Sequence, residues 1–285
     1  MATWDAEQPP VLGDLAFAQK VVGGLRIGAM VSVTVVAVAF FLMGRGLRAM
    51  LGRWVVFHFW VARKWSRACL SLAGLRVTVS GKPIETGALV ANHSSWLDIL
   101  ALRSVNLVYF VSKDDVARWP GVGFIARITG TVFIKRKRTE AKRQEAVLRE
   151  RIAHNQLLCF FPEGTSSDGL RVLPFKSSLF SVFYDDTAPT GIAVQPVSVK
   201  YTPSPKSDLP ENFYGWWGTM SFEGHIWDVV ARSWGGTVDI VYHPPVLASA
   251  HPDRKTLADH CQSLVAGGMR QIGHATPSGM VPVSE

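Results

Sequence analysis

Residues 27–44 (IGAMVSVTVVAVAFFLMG) form an uncharged apolar run of 18 residues, and any fold this chain adopts must find a place for it. A helix crossing the hydrocarbon of a bilayer needs about 20 such residues, so the run is just long enough to be a membrane segment and too long for one strand. It begins well inside the chain and is followed by Arg45, Arg48 and Arg53 without a small-residue cleavage site, which does not fit a cleaved signal peptide. The expectation is a retained membrane-anchoring helix; a buried core helix is the other way to hide such a run.

Charge sharpens this reading. Between Asp14 and Glu85 there is no acidic residue, while Lys20, Arg26, Arg45, Arg48, Arg53, Arg63, Lys64, Arg67, Arg76 and Lys82 place the net charge of +8 here. Trp54, Phe57, Phe59, Trp60 and Trp65 interleave with these cations, the mixture that suits a helix in the headgroup region of an anionic leaflet. Basic aromatic patches also bind nucleic acid. Beside an apolar run of this length, the expected partner is the lipid bilayer and not nucleic acid. More positive charge follows the run than precedes it, which places the remainder of the chain in the cytosol. Two helices dipping into one leaflet as a hairpin would leave it on the same face.

From Leu75 onward the pattern alternates. Strands are expected at 75–80, 88–91, 107–112, 131–135, 157–161, 192–200 and 237–242, and helices at 95–103, 121–129, 138–154, 176–184, 222–233 and 252–272. This is an α/β domain with a mostly parallel sheet flanked by helices, preceded by an N-terminal membrane-anchoring helical segment. The divisions are 1–73 for the anchor (apolar run 27–44, basic aromatic helix 46–72), 74–272 for the α/β domain and 273–285 for a frayed tail. Three scattered cysteines, Cys69, Cys159 and Cys261, fit reduced thiols in a cytosolic compartment. Neither they nor the eight histidines have metal-ligand spacing, so no metal is expected.

The chemistry concentrates where two expected strands end. The first runs into Asn92-His93-Ser94-Ser95-Trp96-Leu97-Asp98, and another into Pro162-Glu163-Gly164-Thr165. In open α/β sheets ligands bind at the carboxyl ends of strands. A neutral imidazole can take a proton from a hydroxyl, and a carboxylate on its other nitrogen fixes the tautomer and stabilises the imidazolium. On one continuous helix, residues five apart would point about 140° from each other. His93 is therefore expected on a loop and Asp98 on the first helical turn. Ser95-Trp96-Leu97-Asp98 also fits a variant capping box, in which Asp98 would only cap and His93 would be an ordinary loop histidine. No Gly-x-Ser-x-Gly elbow supplies a nucleophile; 164–169 comes nearest with the wrong spacing. A base without an enzymatic serine points to acyl transfer onto a substrate's hydroxyl.

In its order of motifs the chain resembles the glycerolipid acyltransferases that make phosphatidate from 1-acylglycerol 3-phosphate. The likeness rests on His93-x4-Asp98, on Phe161-Pro162-Glu163-Gly164-Thr165 and on the N-terminal anchor. Between the two motifs, Gly130-Thr131-Val132-Phe133-Ile134-Lys135-Arg136 is similar to the family's second motif, whose arginine contacts the acceptor headgroup. Lys113, with Trp119-Pro120 and Gly123 after it, is similar to the stretch preceding that motif. Val194-Gln195-Pro196-Val197 is similar to the fourth, a proline at a strand end. The resemblance implies that His93 is the general base and Asp98 holds it, that no acyl-enzyme forms, and that Arg136, Glu163, Gly164 and Thr165 shape the acceptor site. Lys113 and Lys176 are further candidate substrate contacts; Lys176 is equally an ordinary lysine at a helix start, and the run 135–138 a solvated charge run.

Phosphatidate-forming members usually carry arginine directly after Phe-Pro-Glu-Gly-Thr, where this chain has Ser166. The continuation through Asp168, Leu173-Pro174-Phe175-Lys176, Trp216-Trp217 and His225-Ile226-Trp227 resembles the bacterial lyso-ornithine lipid O-acyltransferases instead. That branch implies a lysolipid acceptor with a zwitterionic headgroup, Asp168 facing its ammonium and Arg136 or Lys176 its carboxylate. It also implies an acyl carrier protein or coenzyme A thioester as donor, no cofactor, and the cytoplasmic face of a bacterial inner membrane. Phosphatidate formation, alone or beside the first activity, stays open. So do a membrane lipase or thioesterase using the same base, and a non-catalytic lipid-surface adaptor.

Overall fold

The computed structural model describes residues 4–52, 56–135, 140–184, 191–272 and 281–282. Two helices come first, α1 (Phe17–Leu51) and α2 (Phe57–Leu72). The apolar run thus lies inside a helix of 35 residues, about 52 Å long at 1.5 Å per residue. The expected basic helix 46–72 is divided: 46–51 belongs to α1, which stops at Gly52 with φ 92°, a left-handed value open to glycine and costly for other residues. Arg53 and Trp54 lie outside the described residues.

The α/β domain follows as β1 (Leu75–Ser80), β2 (Gly87–Ala91), α3 (Leu97–Val105), β3 (Tyr109–Lys113), α4 (Val122–Ile128), β4 (Val132–Ile134), α5 (Ala141–Ala153), β5 (Leu157–Phe160), β6 (Ala193–Thr202), α6 (Phe222–Arg232), β7 (Gly236–Tyr242), β8 (Val246–Leu247), α7 (Arg254–Ile272) and β9 (Val281–Pro282). The sheet runs β4-β3-β5-β2-β6-β7-β1-β9, with β8 also on β6. β4, β3, β5, β2 and β6 are mutually parallel, and β1 is parallel to β7. β7 and β8 run antiparallel to β6, and β9 antiparallel to β1. Val281–Pro282, placed in the expected tail, is therefore part of the sheet edge.

Side-chain alternation makes this a three-layer structure. Leu89 and Ala91 of β2 with Leu157 and Cys159 of β5 face the core shared with Leu70 of α2, Leu97 and Leu102 of α3 and Val229 of α6. Ala88, Val90, Leu158 and Phe160 face the other core, with Leu148 and Ile152 of α5 and Leu257, Cys261 and Val265 of α7. Central parallel strands are covered on both faces, which is why they read as unbroken apolar runs. The expected helix 176–184 is a 3-10 helix, Ser177–Phe183; its three-residue period puts Phe180 and Phe183 into the same core.

Pro196 does not lie at a strand end but inside β6, at the point where β6 changes antiparallel partner from β8 (Ala193, Val194) to β7 (Val197 onward). A residue without an N–H is tolerated in that gap. The Gln195 amide fills it, accepting from Ile84 N at 2.9 Å and donating to the carbonyls of Lys82 and His243.

α1 is seated on the domain by small residues. A Cβ on Gly23 would come within 3.0 Å of Ala231 of α6, and one on Gly44 within 3.0 Å of His58 of α2. Arg26 donates to the carbonyls of Val230 and Ser233, Trp65 Nε1 to Thr34 Oγ1, and Arg45 to Ile128 O. The opposite side leaves Leu25, Val31, Val35, Val36, Met43 and Met50 exposed.

Candidate active site

β2 and β5 are adjacent and parallel, so the segments leaving their carboxyl ends emerge side by side. At the end of β2 the chain must turn out of the sheet, and Asn92 makes this possible. Its side-chain amide replaces the peptide group the ladder would have had: Val199 N donates to Oδ1 at 2.8 Å, and Nδ2 donates to Val199 O at 2.9 Å. The backbone is then released to place His93 on the loop and Asp98 in the first turn of α3, as the spacing required.

His93 Nδ1 and Asp98 Oδ2 are 2.7 Å apart. The same oxygen accepts from Ser94 N at 2.8 Å and Ser95 N at 3.0 Å, and Oδ1 accepts from Tyr201 Oη at 2.8 Å. Asp98 is fully buried, so all four bonds are needed to offset its desolvation. An oxygen already receiving two backbone N–H groups is an acceptor towards the ring as well, which puts the proton on Nδ1 and the lone pair on Nε2. The expected capping box forms by half: Asp98 reaches back to Ser95 N, but Ser95 Oγ is buried without a partner among the described residues. Capping and holding the histidine are thus done by one carboxylate.

The imidazole stacks on Phe161, with centroids 4.2 Å apart and planes at 20°, and its side chain is 21% exposed. Among the described residues no group hydrogen-bonds Nε2. The nearby serines do not hydrogen-bond the ring either: Ser94 and Ser95 are buried, and Ser167 donates from Oγ to His93 O at 3.4 Å. A partly exposed imidazole nitrogen that meets no protein hydroxyl among the described residues has the chemistry to accept a proton from a bound alcohol.

The Phe161–Thr165 motif closes on the His93 loop. Glu163 was read as shaping the acceptor site; its side chain instead points inward, 2% exposed, accepting from His93 N at 3.3 Å and Leu173 N at 3.2 Å. Burial above all, with the charges of Asp98 and Asp168, raises its pKa well above the ordinary carboxylate range. It is a brace between the two loops. Gly164 has φ 69°, and a Cβ there would lie 2.7 Å from Lys176 Nζ, so the turn and this lysine are packed together. Lys176 N also donates to Pro162 O at 2.9 Å. Thr165 Oγ1 accepts from Trp4 N and donates to Ser166 O, both at 3.3 Å.

Asp168 does not face outward as its assignment to an ammonium required. It is 1% exposed and paired with Arg171 at 2.9 Å, while Oδ1 takes Leu170 N. Lys113 closes β3 at the same sheet edge, two strands from β2. Arg136 lies outside the described residues.

Some contributors have a role that the sequence alone does not assign. Tyr201 has no motif to mark it, a polar ring at the end of a buried strand being its one signal, and Phe161 heads the Phe-Pro-Glu-Gly-Thr motif without any sign there that it stacks on His93. The segment around Trp4 and Glu7 packs beside the Phe161–Thr165 motif, with Trp4 N on Thr165 Oγ1, Trp217 Nε1 donating to Glu7 O at 2.8 Å and Arg171 paired with Glu7 at 3.2 Å. Trp96, Trp119, Trp216 and Phe222 form an aromatic shelf beside the His93 loop, tied to it by Trp216 N donating to Ser94 O at 2.8 Å. His225 braces the shelf: it accepts Trp96 Nε1 at Nδ1, and burial pushes it down to about 4, so it stays neutral.

Tyr201→Phe leaves Oδ1 of a buried carboxylate one donor short. The expected cost is about 1–3 kcal/mol of stability, with turnover lowered while acceptor KM is unchanged, read by thermal melting and initial rates on the same preparation. Unchanged turnover would show that Oδ1 does not help to position the pair.

The family model described as Acyltransferase matches residues 76–200. The chain is 48% identical over 206 residues to the lyso-ornithine lipid O-acyltransferase of Rhodobacter capsulatus, covering 72% of this chain and 74% of that protein. It is 37% identical over 130 residues to the 1-acyl-sn-glycerol-3-phosphate acyltransferase of Neisseria gonorrhoeae, covering 45% and 49%. Among solved structures, the 1-acyl-sn-glycerophosphate acyltransferase of Thermotoga maritima superposes with a TM-score of 0.64 at 20% identity, over 90% of this chain and 99% of that one.

Proposed function

This chain belongs to the acyltransferase family, and from that premise we propose that it moves a fatty acyl group from a thioester to the hydroxyl of lyso-ornithine lipid. It is a lysolipid acyltransferase; the acceptor, the donor and the roles of individual residues are the proposed part. One observation carries the mechanism: His93 is held at Nδ1 by a fully bonded buried carboxylate and presents Nε2 to no protein hydroxyl among the described residues. The acceptor O–H gives its proton to Nε2 as its oxygen attacks the thioester carbonyl. Asp98 stabilises the imidazolium so formed. Collapse of the tetrahedral intermediate breaks the C–S bond, and the departing thiolate of coenzyme A or acyl carrier protein takes the proton from Nε2.

The acceptor reading rests on the likeness to the lyso-ornithine lipid enzymes and on Ser166. That side chain is nearly buried, between Thr165 and the fully packed Ser167 and Asp168. An arginine fork for a phosphate does not fit there without opening the turn. Lys176, beside Gly164, keeps one cation at the site for the ornithine carboxylate. The same cation suits a phosphate, which is what would let lysophosphatidate compete.

The membrane reading rests on α1. By length and composition α1 could cross a bilayer. It touches the domain at Gly23 and again at Arg45, positions about 33 Å apart along the axis. A helix held to one domain at both places lies along it, so its exposed apolar side enters one leaflet and the acceptor arrives from that leaflet. The excess of cations after the apolar run supports a domain on the cytoplasmic face, and the bacterial relatives support an inner membrane as its place.

Transfer assays on purified membranes, with lyso-ornithine lipid and lysophosphatidate offered separately, test the acceptor. The expected result is at least about a tenfold higher kcat/KM for lyso-ornithine lipid, a difference of about 1.4 kcal/mol in the transition state. Activity confined to lysophosphatidate would overturn this choice and leave the mechanism standing.

A further inference from the structure

Residues 4–16 form neither helix nor strand, so tertiary contacts alone decide where they lie. Just ahead of α1, Leu12 packs on the core shared by α2, α3 and α6, and Arg232 of α6 donates to Gly13 O. Farther from α1, Trp4 and Glu7 lie across two loops of the active site. The first is 161–171: Trp4 N donates to Thr165 Oγ1 at 3.3 Å, and the Arg171 guanidinium lies over the Trp4 ring at 5.3 Å. Arg171 pairs at the same time with Glu7 at 3.2 Å and with the buried Asp168 at 2.9 Å. The second is 213–217, where the Trp4 and Trp217 rings meet at 6.2 Å and Trp217 Nε1 donates to Glu7 O at 2.8 Å. Trp217 is 2% exposed, so without that carbonyl a buried indole N–H would lose its acceptor.

The same two loops grip the catalytic loop. Ser167 N donates to His93 O at 3.0 Å, and Trp216 N to Ser94 O at 2.8 Å. Residues 4–7 therefore join the loops that hold His93 and that carry Thr165. The Thr165 hydroxyl donates to Ser166 O and accepts from Trp4 N, so its orientation depends on where Trp4 sits. Trp4 is in turn placed by its ring, seated against Trp217 and under Arg171.

We propose that residues 4–7 are a strap that fixes the Thr165 turn for the acceptor headgroup, and that Trp4 is a positioning residue for acyl transfer. The seated indole fixes the Trp4 backbone, the Trp4 N–H fixes the Thr165 hydroxyl, and the acceptor meets Thr165 in one orientation. Small misplacements of a positioning group are costly, so a strap that touches no substrate still sets how well the acceptor is held. This rests on the reading of Thr165 as part of the acceptor site. The choice between lyso-ornithine lipid and lysophosphatidate is decided by the wild-type protein, whereas the strap is decided by variants measured with whichever acceptor the wild type uses, so the two fail separately.

Trp4→Ala, Trp4→Phe and Gln8→Ala are compared with the wild-type full-length protein, varying acceptor and thioester donor separately and recording the melting temperature of each preparation. Trp4→Ala is expected to raise the acceptor KM about tenfold while kcat, donor KM and melting temperature stay near wild type, the pattern of weakened acceptor binding. Trp4→Phe keeps a ring against Trp217 and under Arg171 and is expected within about twofold of wild type. Gln8→Ala, at an exposed position of the same segment, behaves as wild type. An unchanged acceptor KM in Trp4→Ala overturns the strap. So does an equal rise in both KM values, or a fall in kcat or melting temperature with both KM values unchanged, the mark of a segment that only supports the fold. Trp4→Phe as impaired as Trp4→Ala overturns the ring as the anchor. Trp4 is partly exposed and outside every helix and strand, so its replacement leaves a folded protein in which the split can be read.

Discussion

His93→Ala is expected to lower acyl transfer by about 10²–10⁴-fold, the usual contribution of a positioned general base. The imidazole packs on Phe161 and is partly exposed, so its removal leaves the cores on both sides of the sheet intact. Asp98 retains Ser94 N, Ser95 N and Tyr201 Oη and is not left as an unpaired buried group. Melting temperature and sedimentation with anionic vesicles should therefore stay near wild type. The separation matters, because a lost activity accompanied by lost folding would say nothing about the base. Turnover above a tenth of wild type would remove His93 from the mechanism.

Asp98→Asn should be nearly as damaging for a different reason. Three donors converge on Oδ2, so the amide oxygen of an asparagine must take that place, leaving its nitrogen towards Tyr201, whose hydroxyl can turn to accept. Geometry survives; the negative charge that stabilises the imidazolium does not. The expected effect is a fall in kcat of about 10²–10⁴-fold with acceptor KM little changed, the pattern of an interaction that matters in the transition state. Asp98→Ala would add the cost of unpaired buried donors. Equal catalysis by Asp98→Asn and wild type would mean that the carboxylate only caps α3, the alternative that the sequence left open.

The sheet was legible because its central strands are short apolar runs bounded by polar turns, and burial on both faces demands that composition. The His93 loop and the Asp98 turn followed from helical geometry alone. What escaped notice depended on contacts distant in sequence. Asn92 looks like an ordinary loop residue until β6 is beside it, and Tyr201 acquires its meaning only when β6 places it over Asp98. Glu163 and Asp168 were misread for one shared reason: a carboxylate in a motif suggests a ligand contact, whereas burial turned one into a brace between loops and the other into the partner of Arg171. The break in the basic helix is hidden because Gly52 follows the good helix formers Leu47 to Leu51, where a glycine alone does not announce a stop.

The central claim is that His93 activates the hydroxyl of the acceptor and not one of the enzyme's own. Incubating the purified protein with a labelled acyl thioester, with and without lyso-ornithine lipid, and following both the label and the intact protein mass, tests it most directly. The predicted result is label in the O-acyl ester of the lipid only when the acceptor is present, with no mass added to the protein at any time. Label accumulating on the protein, or appearing as free fatty acid at the same rate without acceptor, would contradict it.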